Sequence, residues 1–155
     1  MRTVSDWFGE YNASHSHATN KLLHWICVPP IVLSVMGLLW SVPMPEAIAA
    51  ISPWINLATV ISAAAVVYYL ALSAPLAAGI AIAFVVMLLL VRELAELPWP
   101  LWATSIAIFI AGWIGQFIGH GIEGKRPSFY KDVQFLLIGP LWLVGALYRR
   151  LGLRY

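Results

Sequence analysis

Ionisable side chains are scarce in this sequence. Only 10% of the 155 residues are charged, whereas 61% are hydrophobic and the mean hydropathy is +0.83. A soluble globular domain usually carries about 25% charged residues. The composition therefore excludes an ordinary soluble domain and predicts a membrane protein. The formal net charge of +2 says nothing about nucleic acid; for a membrane protein we expect lipid, and no nucleic acid, among its partners.

Cysteine is equally scarce. Cys27 is the only cysteine in the sequence, so no intrachain disulfide is possible. We interpret this thiol as a small apolar core residue. We also expect no secretory signal peptide, because the first apolar run follows a polar segment and lacks a small-residue cleavage site.

Long stretches without charge predict four membrane spans. They are Trp25 to Val42, Trp54 to Leu72, Leu76 to Val91 and Leu101 to Ile118. A spanning helix needs about 20 apolar residues. The charge-free stretch from Trp54 to Val91 therefore fits two spans joined by a very short turn.

Proline and glycine mark two of these spans. Pro29 and Pro30 fall near the start of the first span, and proline is tolerated in the first turn of a helix. We expect them to mark where the spanning helix begins. The last span carries Gly112, Gly115 and Gly119, a spacing of small residues that favours close packing against another helix.

The last apolar segment, Val133 to Tyr148, is short for a spanning helix. We predict that it re-enters the membrane or lies along its surface. The predicted fold is thus all-α, a polytopic helical membrane protein with four transmembrane helices plus a re-entrant or interfacial C-terminal helix. Residues 1–155 form one domain in this interpretation, divided into an interfacial segment (1–24), four spans (25–118), a site loop (119–132) and a short apolar helix (133–148).

Basic residues predict the orientation in the membrane. With an even number of spans, the N-terminal segment and the 119–132 loop face the same side. That side carries Arg2, Lys21, Lys125, Arg126 and Lys131, whereas the opposite side carries Arg92. The positive-inside rule puts the basic side in the cytoplasm, and we expect the membrane to be a bacterial inner membrane.

The sequence has four histidines, and all of them lie next to apolar segments. His15, His17 and His24 precede or open the first span, and His120 follows the fourth. With an even number of spans they meet on one membrane face. Imidazole is the commonest neutral ligand for Zn, Fe, Cu and Ni. The pattern predicts a metal site, and the alternative is a set of interface histidines with ordinary hydrogen bonds.

The spacing of the histidines constrains such a site. His15 and His24 are nine positions apart and would point in opposite directions on one straight helix. If both bind one metal, the chain must bend between them, and Thr19 and Asn20 are candidates for that break. His120 and Glu123 would share a helical face. With two N-terminal histidines they would resemble the two-histidine, one-carboxylate set of non-haem Fe(II) oxygenases.

Polar neighbours of His120 suggest further roles. Gln116 lies one helical turn before His120 and is a candidate to hold its ring in place. Lys125 and Arg126 form a basic patch at the membrane surface. They either anchor the chain to lipid headgroups or bind a substrate carboxylate, which arginine can grip through two parallel hydrogen bonds.

Two motifs in this sequence resemble the signatures of a known family. The first is Tyr11…His15…Asn20…His24…Val28-Pro29, and the second runs from Gly112 to Gly121 and continues with Glu123, Lys125, Arg126 and Pro127. Gly139-Pro140-Leu141 also fits. Together they are similar to the 2-hydroxy-fatty-acid dioxygenase family of fatty-acid α-oxidation, over nearly the whole chain.

The resemblance implies an integral membrane, Fe(II)-dependent dioxygenase. Its substrates would be a long-chain 2-hydroxy fatty acid and O₂, and its products a fatty acid one carbon shorter plus CO₂. The resemblance implies His15, His24 and His120 as iron ligands and catalytic residues. Further metal-ligand candidates are His17 and Glu123, and candidates for contact with the substrate are Tyr11, Asn20, Lys125 and Arg126.

Two other classes of function stay open at this point. A zinc-dependent membrane lipid hydrolase would use the same histidines with a metal-activated water. A non-catalytic lipid-binding or transport protein of the membrane should instead tolerate alanine at His15, His24 and His120. Metal identity and dependence on O₂ separate these alternatives.

Overall fold

A computed structural model describes residues 2–126 and 134–155, and the regular structure in these ranges is entirely helical. The helices are α1 (Val4–Ala13), α2 (Ala18–Trp40), α3 (Glu46–Ala49), α4 (Leu57–Leu72), α5 (Ala74–Ala95), α6 (Leu101–Glu123) and α7 (Gln134–Arg150). The all-α prediction is therefore confirmed. Residues 127–132 of the predicted 119–132 loop, and Val133 at the start of the last apolar segment, lie outside the described residues.

Three helices in the described part of the chain are long and apolar enough to cross a membrane, namely α2, α5 and α6. Helix α4 is also apolar but has 16 residues, or about 24 Å at 1.5 Å per residue. The hydrocarbon core of a bilayer is about 30 Å thick. The prediction of a helical membrane protein is thus supported, while a fourth crossing stays a prediction.

Helix α2 begins well before the predicted first span. The side chain of its N-cap residue, His17, accepts a hydrogen bond from Thr19 N at 3.2 Å. Pro29 and Pro30 lie inside the helix, so the prediction that they mark its start is wrong. A proline in a helix removes one backbone hydrogen bond, which membrane helices tolerate when neighbouring groups satisfy the freed carbonyl. Capping at His17 sets the start instead.

Helix α6 continues past the predicted end of the fourth span at Ile118. His120 and Glu123 therefore belong to the helix and not to a loop. The helix ends at Gly124, which has a positive φ of 70°. Glycine adopts this left-handed conformation without strain, so it is a common helix terminator.

Helices α2 and α6 pack closely through the glycines of α6. A Cβ atom added to these glycines would meet α2 inside normal van der Waals contact: Gly112 against Ile31, Gly115 against Cys27 and Gly119 against Asn20. The interpretation of the glycine spacing as a packing face is confirmed. Because the helices touch over this length, the start of α2 and the end of α6 lie together, and His24 meets His120.

Helix α7 lies beside α1 and across the hairpin formed by α4 and α5. Three hydrogen bonds fix it: Trp142 Nε1 donates to Asn12 Oδ1 (2.8 Å), Tyr69 Oη to the Leu137 carbonyl (2.8 Å) and Tyr148 Oη to the Pro75 carbonyl (3.0 Å). Tyr69 and Pro75 flank the turn at Ser73. Residues eleven positions apart in α7 therefore contact the same end of the hairpin.

The packing of α1 and α7 on the longer helices creates the buried core. Tyr69, Leu76, Ile80, Ile138 and Leu141 are fully or almost fully buried in it. Aromatic side chains of α1 extend this core to the start of α2. The result is a buried, largely apolar environment around the histidines.

Gly112→Ala is expected to destabilise the fold by about 1–3 kcal/mol, as overpacking usually does. The added Cβ would lie 2.6 Å from Ile31 Cγ1, and a β-branched side chain in a helix has one preferred χ1 rotamer. Gly121→Ala is the matched control on the same helix, because its Cβ meets nothing within 4 Å.

Thermal unfolding in one detergent measures both variants. The Tm of Gly112→Ala should fall below that of the wild type, whereas Gly121→Ala should match or exceed it, since alanine favours the helix. Equal Tm values for the two variants would contradict the packing described here.

Candidate metal centre

Three histidines converge from separate parts of the chain. His15 lies between α1 and α2, His24 lies near the start of α2, and His120 lies in the last turn of α6. Their exposed fractions are 1%, 2% and 5%. One ring nitrogen from each lies within 4.8 Å of the others. Three buried imidazoles at this separation are able to bind one metal ion.

The chain bends between α1 and α2, at residues 14–17. Helix α1 ends at Ala13 and α2 begins at Ala18, so His15 approaches His24 from outside the helix that carries His24. The nine-residue spacing requires such a bend. Its predicted position at Thr19 and Asn20 is wrong, because both residues lie in the first turn of α2.

Backbone carbonyls fix the ring nitrogens of two histidines. His15 Nδ1 donates to the Tyr11 carbonyl at 2.7 Å, and His24 Nδ1 donates to the Asn20 carbonyl at 2.9 Å. A carbonyl only accepts, so in both neutral rings Nδ1 carries the proton and Nε2 carries a lone pair. The two Nε2 atoms are 2.9 Å apart. Two facing lone pairs repel each other, whereas a cation placed between them would be attracted to both.

Burial keeps His15 in the form that binds metals. The pKa of His15 is lowered to about 3, chiefly by desolvation and then by the neighbouring His24, against the opposing effect of the Tyr11 carbonyl. The ring is therefore neutral at physiological pH, as a metal ligand must be. Two nitrogens that each lie about 2.0–2.1 Å from one ion are roughly 3 Å apart at common coordination angles. The observed separation fits a shared ion.

His120, on α6, is the third histidine of the cluster. The centroid of its ring lies 4.9 Å from that of His15 and 5.2 Å from that of His24. Its Nδ1 atom is buried and has no hydrogen-bond partner in the described part of the chain. An unpaired buried polar atom is costly, and a metal or a bound molecule would satisfy it. The donor set fits Zn, Fe, Cu or Ni.

The structure does not bring His17 or Glu123 into this cluster. The exposed His17 ring caps α2 through Thr19 N. Glu123 accepts hydrogen bonds from Ser16 N (2.9 Å), Ser16 Oγ, His17 N (2.8 Å) and Asn20 Nδ2 (3.2 Å). Amide groups at the start of a helix have no partner within the helix, and the helix dipole attracts a carboxylate there. Both carboxylate oxygens of Glu123 are thereby occupied by α2 and the bend.

Glu123 links the end of α6 to the bend that carries His15. A second link comes from Lys125, whose Nζ donates to the Ala13 carbonyl at the end of α1. A cation is favourable at the C-terminus of a helix. The two links flank His15, so the position of this ring depends on α6.

A cavity of about 80 Å³ adjoins the histidines. It is lined by the three histidines and by Tyr11, Val28, Ile31, Val32, Trp113, Gln116, Phe135, Leu136, Gly139 and Pro140. The Tyr11 ring stacks on the His15 ring with a centroid distance of 3.9 Å and an interplanar angle of 3°. Apart from the histidines, Gln116 and the polar atoms of Tyr11 and Trp113, the lining is apolar.

Of the residues predicted to contact a substrate, Tyr11 lines this cavity and three others do not. Lys125 is bound to the end of α1, Arg126 is exposed beyond α6, and the Asn20 side chain donates to Ser14 O and Glu123. Lys125 and Asn20 are therefore used for links between parts of the chain. Pro127 of the second motif lies outside the described residues.

Gln116 was predicted to hold the His120 ring, and it does line the cavity beside it. However, Gln116 Nε2 and His120 Nδ1 each have no hydrogen-bond partner among the described residues. The two atoms therefore do not bond to each other. The four-residue spacing places the side chains on one face of α6 but does not bring these atoms into contact.

The sequence interpretation missed the apolar part of the lining. Trp113 precedes Gln116 by three positions and His120 by seven, so helical spacing was a usable signal for it. Phe135 of α7 lines the cavity, and Ser16 donates hydrogen bonds to Glu123. Nothing in the local sequence signals either of these two, because each depends on a partner about a hundred residues away.

The chain is similar to known proteins. It matches the family model described as "Mpo1-like: 2-hydroxy-palmitic acid dioxygenase Mpo1-like" over residues 1–151. It belongs to the Mpo1-like family. The 2-hydroxy-palmitic acid dioxygenase MPO1 of Saccharomyces cerevisiae is 30% identical over 148 residues, which cover 93% of this chain and 79% of the yeast protein. No solved structure gives a significant match.

Membership of the Mpo1-like family confirms the resemblance read from the two sequence motifs. The first motif lies around the start of α2, and the second lies in the C-terminal half of α6 and just beyond it. The fold brings the two motifs together at the histidines. The yeast Mpo1-like relative is named as a dioxygenase, which indicates an enzyme.

His120→Ala and His17→Ala in this Mpo1-like protein should differ in metal content. His120→Ala removes one of three clustered imidazoles and should lose the bound metal. His17→Ala removes a helix cap, which costs about 1 kcal/mol of stability, and should keep the metal. Elemental analysis of protein purified in detergent under anaerobic conditions measures both. Loss of metal from His17→Ala alone would contradict the assignment of the three-histidine cluster.

Glu123→Ala should weaken metal binding without removing a ligand. The substitution breaks the hydrogen bonds that hold Ser16, His17 and Asn20, so the bend bearing His15 is less constrained. Loss of such supporting contacts typically lowers metal affinity 10–100-fold. Competition with a chelator measures the affinity.

Glu96→Ala is the matched control for Glu123→Ala, because Glu96 is an exposed carboxylate at the opposite end of the helices. Its metal affinity should equal that of the wild type. A Glu123→Ala variant with wild-type affinity would show that the bend holds His15 in place by itself.

Proposed function

We propose that this protein is a membrane-embedded, non-haem iron dioxygenase of long-chain 2-hydroxy fatty acids. The observation that carries the proposal is the pair of facing Nε2 atoms of His15 and His24, joined by His120, at the end of an apolar cavity. Membership of the Mpo1-like family gives the reaction class. The whole chain forms one metalloenzyme domain in this proposal.

Iron is the metal that suits this reaction. Bound Fe(II) would supply the O₂ chemistry that imidazole, amide and phenol groups lack. Zinc has no redox chemistry, whereas histidine ligands serve iron in non-haem oxygenases. The residues of this chain have three tasks: His15, His24 and His120 hold the ion, Tyr11 supports the His15 ring by stacking, and the apolar lining excludes water.

The reaction balances without a further reductant. One 2-hydroxy acid, R–CH(OH)–COOH, and one O₂ give R–COOH, CO₂ and H₂O. The C1–C2 bond breaks, the two carbons lose four electrons in total, and O₂ gains the same four. The protein therefore needs no second redox cofactor for a complete turnover.

An apolar groove next to the cavity suits the acyl chain. It has a volume of about 460 Å³ and lies between α2, α4, α6 and α7. The cavity and the groove share Ile31, Val32, Trp113, Leu136 and Pro140. Along α2, the distance from His24 to Leu39 at the far end is about 22 Å. That exceeds half of the roughly 30 Å hydrocarbon core, so a long chain has room.

The proposed topology has four crossings, by α2, α4, α5 and α6. Helix α7 stays on the histidine side, since Leu137 and Tyr148 both contact the same end of the α4–α5 hairpin. The cationic residues Lys21, Lys125 and Arg126 are on that side too, which favours the cytoplasmic face of an inner membrane. A substrate dissolved in the bilayer would reach the groove laterally.

The decisive test is turnover by the purified protein. Iron-loaded protein in detergent should convert 2-hydroxyhexadecanoate to pentadecanoate with one O₂ consumed per CO₂ released. His120→Ala should lower the rate at least 10²-fold, while the far-side variant Glu96→Ala should keep the wild-type rate. Product is measured by mass spectrometry and O₂ by an electrode.

Other results would favour other functions. Stoichiometric zinc and ester hydrolysis would indicate the lipid hydrolase. Absence of bound metal from a folded, iron-supplied protein would instead indicate a non-catalytic lipid-binding protein. Either result would overturn the dioxygenase proposal.

A further inference from the structure

Gln116 is a polar residue of the cavity whose amide nitrogen has no hydrogen-bond partner in the described part of the chain. Its side chain is 5% exposed and lines the cavity beside the histidines. Its Nε2 atom is buried and has no hydrogen-bond partner among the described residues. Folded proteins rarely leave a buried donor unpaired. This donor is therefore available to a molecule that occupies the cavity.

The described lining of the cavity contains no lysine or arginine. The nearest candidates of the second motif are engaged or remote, since Lys125 donates to the Ala13 carbonyl and Arg126 is exposed beyond α6. The Nδ1 protons of His15 and His24 are held by carbonyl groups. A carboxylate that leaves water for an apolar cavity needs hydrogen-bond donors. The Gln116 amide is placed to be one.

The side chains along one face of α6 change from polar at the histidines to apolar at the groove. Phe109, Trp113, Gln116 and His120 recur at spacings of four, three and four, so they share one helical face. His120 and Gln116 line the cavity, Trp113 lines both cavity and groove, and Phe109 lines the groove. The face thus runs from a metal-binding group, through an amide, to apolar rings.

We propose that Gln116 recognises the substrate head group by donating a hydrogen bond from Nε2 to the carboxylate of the 2-hydroxy acid. The acyl chain then extends past Trp113 into the groove, and C2 stays beside the histidines. Gln116 is in this role a substrate-binding residue that selects acids over their neutral derivatives. The inference rests on the proposed dioxygenase function.

The test measures binding separately from turnover. Metal-loaded protein in detergent is titrated anaerobically with 2-hydroxyhexadecanoate and with its methyl ester by calorimetry. Gln116→Ala should bind the acid about tenfold or more weakly, the typical loss of a hydrogen bond to a charged group, and should lose the preference for acid over ester. Gln116→Glu should bind the acid more weakly still, because it places a like charge beside the carboxylate.

Ser105→Ala is the matched control, because Ser105 is buried on the same helix but does not line the cavity. It should bind the acid as the wild type does. All variants should retain the wild-type metal content, which elemental analysis of the same samples checks.

Three outcomes would overturn the inference alone, with the wild type still binding and converting the acid. The first is wild-type affinity in Gln116→Ala. The second is loss of metal from Gln116→Ala, which would mean that Gln116 acts on His120. The third is undiminished binding by Gln116→Glu, which would place the hydroxyl group at the amide. A metal-loaded wild type that neither binds nor converts the acid would overturn the proposed function as well.

Discussion

The contact between the Nε2 atoms of His15 and His24 is the constraint on which the rest of the structure depends. Backbone carbonyls of Tyr11 and Asn20 hold the Nδ1 protons of the two rings, so two lone pairs face each other at 2.9 Å. Burial prevents His15 from relieving the repulsion by protonation. A shared cation would relieve this repulsion, and the arrangement requires the chain to bend between two residues nine positions apart.

The helices meet this constraint through close packing and a few buried or half-buried polar links. Three glycines let α6 lie directly against α2, which carries His120 to His24. The carboxylate of Glu123 accepts hydrogen bonds from the backbone amides of the bend. Lys125 donates a hydrogen bond to the Ala13 carbonyl at the end of α1. Helix α7 covers the site with aromatic and aliphatic side chains. The charged side chains of Glu123 and Lys125 therefore position the cluster of neutral histidines.

The histidine cluster adjoins a cavity that continues into a mainly apolar groove. The cavity is lined by three histidines and Gln116 among apolar side chains, and the adjoining groove is lined almost entirely by apolar side chains. A molecule with a small polar head and a long hydrocarbon tail fits this division, as the proposed substrate does. A site at the membrane face also suits such a molecule, since it partitions into the bilayer and needs no aqueous path.

The sequence by itself determined the helical membrane character, the approximate spans and the family, because hydropathy, glycine spacing and motif residues are local properties. It also singled out His15, His24 and His120. Only the tertiary structure decided that Glu123 binds the start of α2, that Lys125 and Asn20 join helices, and that Pro29 lies within one. The reason is competition for hydrogen bonds: a polar side chain near a metal site takes whichever unpaired partner the fold brings closest, and for Glu123 that partner lies more than a hundred residues away.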